Sequence, residues 1–382
     1  MWLIFKKEFK ELLRDKKTII FMIGLPLLLF PAIFGVAFFF MSSAADKAEN
    51  KILKYAIVGE AYAPAIVQSF NDASDKFESV AIGPVTAKKR FYQVPHCNGM
   101  GHAMPNSVGA MRGVKAEGGW AVVSTEECDI HASTDVLPYP EARLWDAEDG
   151  RRMALMVDAV HAQGALAAVE LVHNGHAASN RYSRLPVMGV SDLPVAALEP
   201  SQACAMTRRD ISDVRRWHRQ AALRARDIGF DIVYVYAGHD LTLGMHFLSR
   251  RYNRRSDEYG GSLTNRLRLT KELLEDTREA VGDRCGIAFR FAVDELLGSE
   301  GLSCEAESRD VVEMLAEHPD LWDVNLSDWP NDSVTARFGE EGAQEPYVKF
   351  VKQVTSRPVV GVGRFTSPDV MVSQIQRGIL DM

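Results

Sequence analysis

DISDVRRWHRQAALRARDIGFDIVYVYAGHD, residues 210–240, holds the alternation on which the fold turns. Its first part, 210–228, spaces apolar residues at the helical period, with Asp210 as the expected N-cap. Its second part, FDIVYVY at 230–236, is a β-branched and aromatic run of strand length. The pattern recurs on either side, with runs at 90–96 (RFYQVPH), 119–125 (GWAVVST), 165–171 (ALAAVEL), 286–291 (GIAFRF), 322–327 (WDVNLS) and 358–363 (PVVGVG). Helical stretches at 146–163 and 265–281 lie between some of them. Repeated strand–helix units imply an α/β protein with a parallel sheet, and GILDM at 378–382 reads as the opening of an eighth strand. The expectation is a TIM (β/α)8 barrel, incomplete at the C-terminus because the sequence stops inside its last strand. The Pro-containing stretch at 177–207 is expected to be a long excursion that covers an active site.

The composition is that of an ordinary globular protein, 47% hydrophobic and 25% charged. A net charge of −7 leaves no basic field for a nucleic-acid backbone. Cys97, Cys128, Cys204, Cys285 and Cys304 are odd in number, scattered and never spaced as CxxC, which argues for reduced thiols rather than a disulfide framework or zinc site. No metal is expected.

One segment departs from this picture. Residues 18–41 carry no charge and are rich in Leu, Ile and Phe, enough to span a bilayer core as a transmembrane helix. Lys6, Lys7, Lys10, Arg14, Lys16 and Lys17 precede it, so the positive-inside rule places the N-terminus in the cytoplasm. Residues 1–77 are thus expected to be a membrane-anchor segment and 78–382 a separate barrel domain. The barrel would then lie outside, whereas its reduced thiols suit the cytoplasm. The lead-in FKKEFKELLRDKKT, the helix and ILKYAIVGEAYAPAIVQSF together resemble the start of an ABC-2-type exporter permease. The sequence therefore reads as two unrelated fragments joined near residues 75–80.

Active sites of this architecture collect where strands end, so those residues are the candidates. The first run ends in Cys97 among small residues. The fourth ends in Tyr236 and, three residues on, His239. Arg290 places a cation in an otherwise apolar strand and needs an anion, for which Glu170 and Asp294 are candidates. The sixth run is followed by Trp329 and Asp332, and the seventh by GVGRF, whose Gly363 and Arg364 offer backbone N–H groups and a cation to a phosphate.

Residues 234–269, with RSDEYGGSLTNR at their centre, strongly resemble the signature of the old yellow enzyme superfamily. RFYQVPHCNGMG, VKAEGGWAVVSTE and PVVGVGRFTSP are most similar to the trimethylamine and dimethylamine dehydrogenases and the flavoproteins of dimethylglycine catabolism. The resemblance implies an FMN-dependent oxidoreductase that N-demethylates a small methylated amine such as dimethylglycine. It implies that Cys97 tethers FMN covalently, that Val94, Pro95, Glu170, Arg290, Gly363 and Arg364 bind it, and that Tyr236, His239 and Asp332 form a catalytic triad. Trp329 matches a wall of the amine pocket. Glu127 stands where such relatives have an aromatic wall residue, implying a more polar substrate.

Two other readings fit the same residues. An NAD(P)H-dependent ene-reductase would have the same fold, although Tyr236 occupies a position commonly His in those enzymes. A non-catalytic fusion of an exporter fragment with an unclosed barrel is the alternative outside enzymes. The relatives' iron–sulfur cysteine cluster has no counterpart in this sequence, so the electron acceptor is unspecified; a homo-oligomer is left open.

Overall fold

The computed structural model describes Trp2, Lys6 and residues 79–135, 141–195 and 201–382. The chain divides into two compact units, Met1–Lys76 and Phe77–Met382. The expected transmembrane helix at 18–41 lies outside the described residues, and no described helix is long and apolar enough to cross a membrane. Apart from Trp2 and Lys6, the described residues all belong to the second unit.

Seven strands form the staves of its parallel sheet: β1 (Tyr92–Gln93), β2 (Val122–Asp129), β3 (Leu166–Val172), β4 (Ile232–Ala237), β5 (Gly286–Asp294), β6 (Leu321–Leu326) and β7 (Val359–Gly361), and a short further strand, Ala142–Arg143, pairs in parallel with the end of β2. Each pairs in parallel with the next in sequence, from β1 to β7. All seven runs recognised in the sequence supply a strand. The last residues of the chain extend along β7, where Asp381 N donates to Val359 O at 2.8 Å and Gly361 N to Met382 O at 3.2 Å. On their other side Arg90 Nη1 donates to Asp381 O at 3.0 Å, so residues 379–382 lie between the two outer strands of a nearly closed barrel.

Around the sheet run α1 (Pro105–Glu117), α2 (Ala147–His161), α3 (Arg208–Ile228), α4 (Leu243–Leu248), α5 (Leu263–Val281), α6 (Glu307–Leu315), α7 (Trp329–Ser333), α8 (Glu345–Val354) and α9 (Pro368–Gln376). The N-cap expectation for α3 needs correction. Thr207 is the cap, accepting from Asp210 N, and Asp210 sits at N3 with its carboxylate returned to Thr207 N at 2.8 Å. That reciprocal capping box satisfies two amide donors instead of one, and so places the helix start three residues earlier. The excursion at 177–207 is not featureless: Met188–Gly189 pairs in parallel with Cys204–Ala205, and Pro194–Val195 antiparallel with Ser201–Gln202.

Side-chain alternation along the strands sorts the core into two parts. On β5, Phe289 and Phe291 join the large apolar layer between sheet and helices, whereas Arg290 faces inward. Inside the barrel a second cluster includes Val122, Ala168, Ile232, Tyr234, Ala288, Leu321 and Val360. Its polar atoms are matched: Tyr234 Oη donates to Tyr92 Oη at 2.8 Å. The hairpin Val80–Ile82 with Val85–Ala87 closes this lower layer, Ile82 being fully buried in it. A Cβ at Gly286 would come within 2.6 Å of Ile82 O, so the plug fits only because β5 begins with glycine. Gly286→Ala is therefore expected to destabilise the protein by about 1–3 kcal/mol through overpacking, measured as a lower urea midpoint at unchanged slope.

Candidate active site

The open, C-terminal end of the strands gathers most of the chemically unusual side chains. Tyr236 is the penultimate residue of β4, paired in register with Arg290 on β5, which is itself paired with Asp323 on β6. Arg290 Nη1 donates to Glu170 Oε1 at 3.0 Å and to Pro95 O at 2.9 Å, and its Nε lies 3.7 Å from Asp323 Oδ2. Of the two anions expected for Arg290, Glu170 is the partner. Asp294 instead accepts from Leu296 N and Cys304 N. Burial pushes Glu170 up to about 7 even though Arg290 opposes it. Burial likewise raises Asp323, whose carboxylate oxygens lack hydrogen-bond partners. Arg290 stays charged, because Glu170 and Asp323 outweigh its own desolvation.

Above this layer Tyr236 Oη is hydrogen-bonded to His239 Nδ1, and His239 Nε2 lies 3.3 Å from Asp332 Oδ1. Burial raises the Tyr236 hydroxyl well above its ordinary value, keeping it protonated. Burial would also raise Asp332, but the bond to His239 and its charge prevail and hold the carboxyl below the usual range. The backbone here is strained: His239 and Asp240 both have φ of 56°, a region that non-glycine residues seldom occupy. Two contacts fix it. His239 bridges to Asp328, and Trp329 N donates to His239 O at 2.7 Å. Gly238 completes the turn, since a Cβ there would meet Tyr236 Cε2 at 2.9 Å.

Trp329 and Asp332 belong to the short helix α7 and not to a loop. The Trp329 ring stands edge-on to His239 at 6.0 Å and is partly exposed. Glu127 lies within β2, which runs four residues beyond its expected end after a register shift between Ser124 and Glu127. There it is buried and faces Glu170 across the β2–β3 pair. Cys97, on the loop after β1, brings its sulfur within 4.8 Å of carboxylate oxygens of Glu127 and Glu141. The loop residue is exposed, yet crowding of protein atoms round the sulfur, then Glu127 and Glu141, push the thiol well above its ordinary value.

Gly363 and Arg364 do not join this cluster. With Val94 they line a separate cavity between β1 and β7, of about 360 Å³, together with Arg90, His96 and Lys115. Glycine backbone and a surround of cations give that cavity the chemistry of an anion site.

Four participants escaped the sequence reading. Asp323 and Asn325 share the inward face of β6, and the Asn325 amide packs against the His239 ring, Nδ2 to Nε2 being 3.2 Å. WDVNLS carried the signal, since its polar residues alternate with apolar ones. Asp129 follows Glu127 on the same face of β2, a density of carboxylates unusual for a buried strand. Glu141 directly precedes the short strand Ala142–Arg143, which no periodicity marks.

Residues 75–382 match the NADH:flavin oxidoreductase / NADH oxidase family, and the chain belongs to it, in the amine dehydrogenase branch of the old yellow enzyme superfamily. It is 40% identical to dimethylamine dehydrogenase of Hyphomicrobium sp. (strain x), over 80% of this chain and 43% of that protein. Among solved structures, 6-hydroxypseudooxynicotine amine oxidase from Pseudomonas geniculata N1 superposes with a TM-score of 0.78 at 51% identity. Histamine dehydrogenase from Rhizobium sp. 4-9 does so with 0.77 at 47% identity. Each structure is matched over 80% of this chain and covered to 46% and 45% of its own length, so the chain spans less than half of these relatives.

The raised Glu170 carboxyl has a consequence for stability. Its folded value lies above its ordinary one, so its contribution is full at low pH and is lost as pH rises from about 4.5 to about 7. Relative to Glu170→Gln, the unaltered protein should lose stability between about pH 5 and about pH 8. Urea midpoints of both proteins at the two pH values check this. Arg290→Met, which leaves Glu170 buried without its counter-ion, should cost about 3–5 kcal/mol at neutral pH.

Proposed function

We propose that this member of the flavin oxidoreductase family oxidises a small amine at a carbon attached to nitrogen, an N-methyl carbon in the first instance, with Tyr236, His239 and Asp332 as the catalytic group. The observation that carries the reading is the continuous chain from the Tyr236 hydroxyl through the His239 ring to the Asp332 carboxylate, set directly beside buried Arg290.

The residues fit FMN. Arg290 keeps a buried Nε without a hydrogen-bond partner, at the layer where Pro95 O and Glu170 converge, and the glycine-rich cationic cavity at β7 suits a phosphate. Arg290, Glu170, Val94 and Pro95 would hold the ring system, and Gly363 and Arg364 would hold the phosphate. Cys97 is the proposed covalent anchor. When bound, FMN supplies the acceptor for the two electrons and one proton that leave the substrate carbon as a hydride equivalent.

The protein's own part is proton control. An amine can surrender that hydride only when its nitrogen carries a free lone pair, so the ammonium must first be deprotonated. Tyr236 receives the ammonium N–H as a hydrogen-bond acceptor while passing its own proton toward His239. Asp332, ionised over the whole neutral range, stabilises the imidazolium that results. Loss of hydride leaves an iminium, and water then releases the aldehyde and the shortened amine. Trp329 walls the substrate side, where an aromatic face favours a cationic head.

Two outcomes are expected. Anaerobic addition of methylated amines should bleach the bound flavin, and Tyr236→Phe should slow that bleaching by about 10²-fold or more. A flavin that enones reoxidise but amines never reduce would replace this reading with the ene-reductase. After acid denaturation the flavin should remain attached to the polypeptide, and Cys97→Ala should release it. The raised thiol makes attachment slow at neutral pH and faster as pH rises.

A further inference from the structure

The carboxylates beside Cys97 exceed what the proposed amine chemistry uses. Carboxylate oxygens of Glu127 and Glu141 lie within 4.8 Å of each other and of the Cys97 sulfur, and Asp129 follows on the same face of β2. Both Glu141 and Asp129 line a cavity of about 400 Å³ that also contacts Asp135, Arg143, Trp145 and Tyr182. The charges around it do not cancel. Arg143 is already committed, donating to Asp149 Oδ1 at 2.8 Å and lying over the Trp145 ring at 4.5 Å. Asp135 is likewise engaged by the backbone N–H groups of Arg181 and Tyr182, at 2.9 and 3.0 Å. Burial lowers His102 and so keeps it neutral.

Asp129 is 5% exposed, and its Oδ1 is buried without any hydrogen-bond partner; Glu141 Oε2 is in the same condition. A buried, unpaired carboxylate oxygen is costly unless a cation or donor reaches it. Burial first, and then the neighbouring Glu127, push both carboxyls well above their ordinary range, and Arg143 opposes this only in part at Asp129. Nothing in this arrangement serves the barrel's packing, since an apolar residue would fill each position at less cost.

We propose that this cavity is the subsite for a second cationic group on the substrate. The molecule oxidised is then diamine-like, with one nitrogen at Tyr236 and the other held by Glu127, Asp129 and Glu141, against the aromatic faces of Trp145 and Tyr182. This rests on the reading of the Tyr236 end as an amine-oxidising centre. The cavity connects to the Tyr236 end through neighbours: Glu141 belongs to the cavity wall and to the cluster with Cys97 and Glu127, Glu127 faces Glu170, and Glu170 pairs with Arg290 beside the Tyr236 ring. Arrival of the second cation ionises the carboxyls, so the favourable pairing forms only with a substrate of the right charge. A carboxylate at the same point of the substrate, as in N,N-dimethylglycine or 4-aminobutanoate, meets like charge instead.

The test uses the flavin-loaded protein and calorimetric titration under anaerobic conditions. Putrescine and cadaverine should bind at least about tenfold more tightly than n-butylamine, and 4-aminobutanoate more weakly than either. In Asp129→Asn and in Glu141→Gln the diamine and monoamine affinities should converge. Glu141, the less buried of the two, supplies the variant if Asp129→Asn does not fold. Equal affinity for putrescine, cadaverine and n-butylamine in the unaltered protein overturns the proposal, as does a diamine preference that survives both substitutions. Flavin bleaching is recorded separately. If monoamines and diamines bleach alike and bind alike, the subsite fails and amine oxidation stands. If diamines bind preferentially but no amine bleaches the flavin, the subsite stands and the catalytic reading fails.

Discussion

A guanidinium held in the middle of a barrel constrains everything around it. Arg290 touches Glu170 on β3, the Pro95 carbonyl after β1 and the neighbourhood of Asp323 on β6, so four of the seven strands meet at one buried charge. Such a pair contributes little net stability, because desolvation of both ions offsets their attraction. What it contributes is position. With the cation fixed, the inward register of β3, β5 and β6 is fixed too, since a slip of one residue would turn Arg290 into the apolar layer beneath the helices. The Tyr236 ring, 5.6 Å from that guanidinium, inherits its place from the same restraint.

The polar groups sort by height within the barrel. Below Arg290 the layer is apolar and its two tyrosines satisfy one another. Above it, satisfaction is incomplete: oxygen or nitrogen atoms of Asp323, Asn325, Arg290, Glu126, Asp129 and Glu141 lack protein partners. Left-handed backbone conformations gather at the same end, at His239, Asp240, Leu296, Ser327 and Arg364. Unmet hydrogen-bonding capacity and backbone strain are both costs, and a fold tolerates them together where a ligand offsets part of the penalty.

Much of this was legible in the sequence because period-2 runs and helical spacing are local. The seven longer runs were recognisable in outline, Tyr236 and His239 fall inside the family signature, and Arg290 and Glu170 stood out as charges in apolar runs. Boundaries were less so. β2 was expected to stop at Thr125, yet a register shift carries it through Asp129, so Glu127, expected as a wall residue, lies within the strand and not after it. The start of α3 was misjudged because Thr207 and Asp210 are both good caps, and only their reciprocal bonds decide between them. Glu141 could not have been found at all. It precedes the two-residue strand Ala142–Arg143, whose pairing with Cys128 and Asp129 brings it to Cys97, and a strand so short leaves no periodic signal in the sequence.

The hairpin that seals the lower end raises a different matter, the order in which the domain can assemble. Ile82 lies against Gly286, Gly83 lies against Asp320, and Arg90 reaches Asp381, 291 positions away. These contacts join the first described residues of the unit to the starts of its fifth and sixth strands and to Asp381, so the first two wait for residues 286 and 320 and the third for residue 381. Strand–helix pairs such as α3 with β4 can settle early, but the floor must wait. Such long-range closure makes for slow folding, during which the inner faces of β1 and β2 stay exposed to association with other chains.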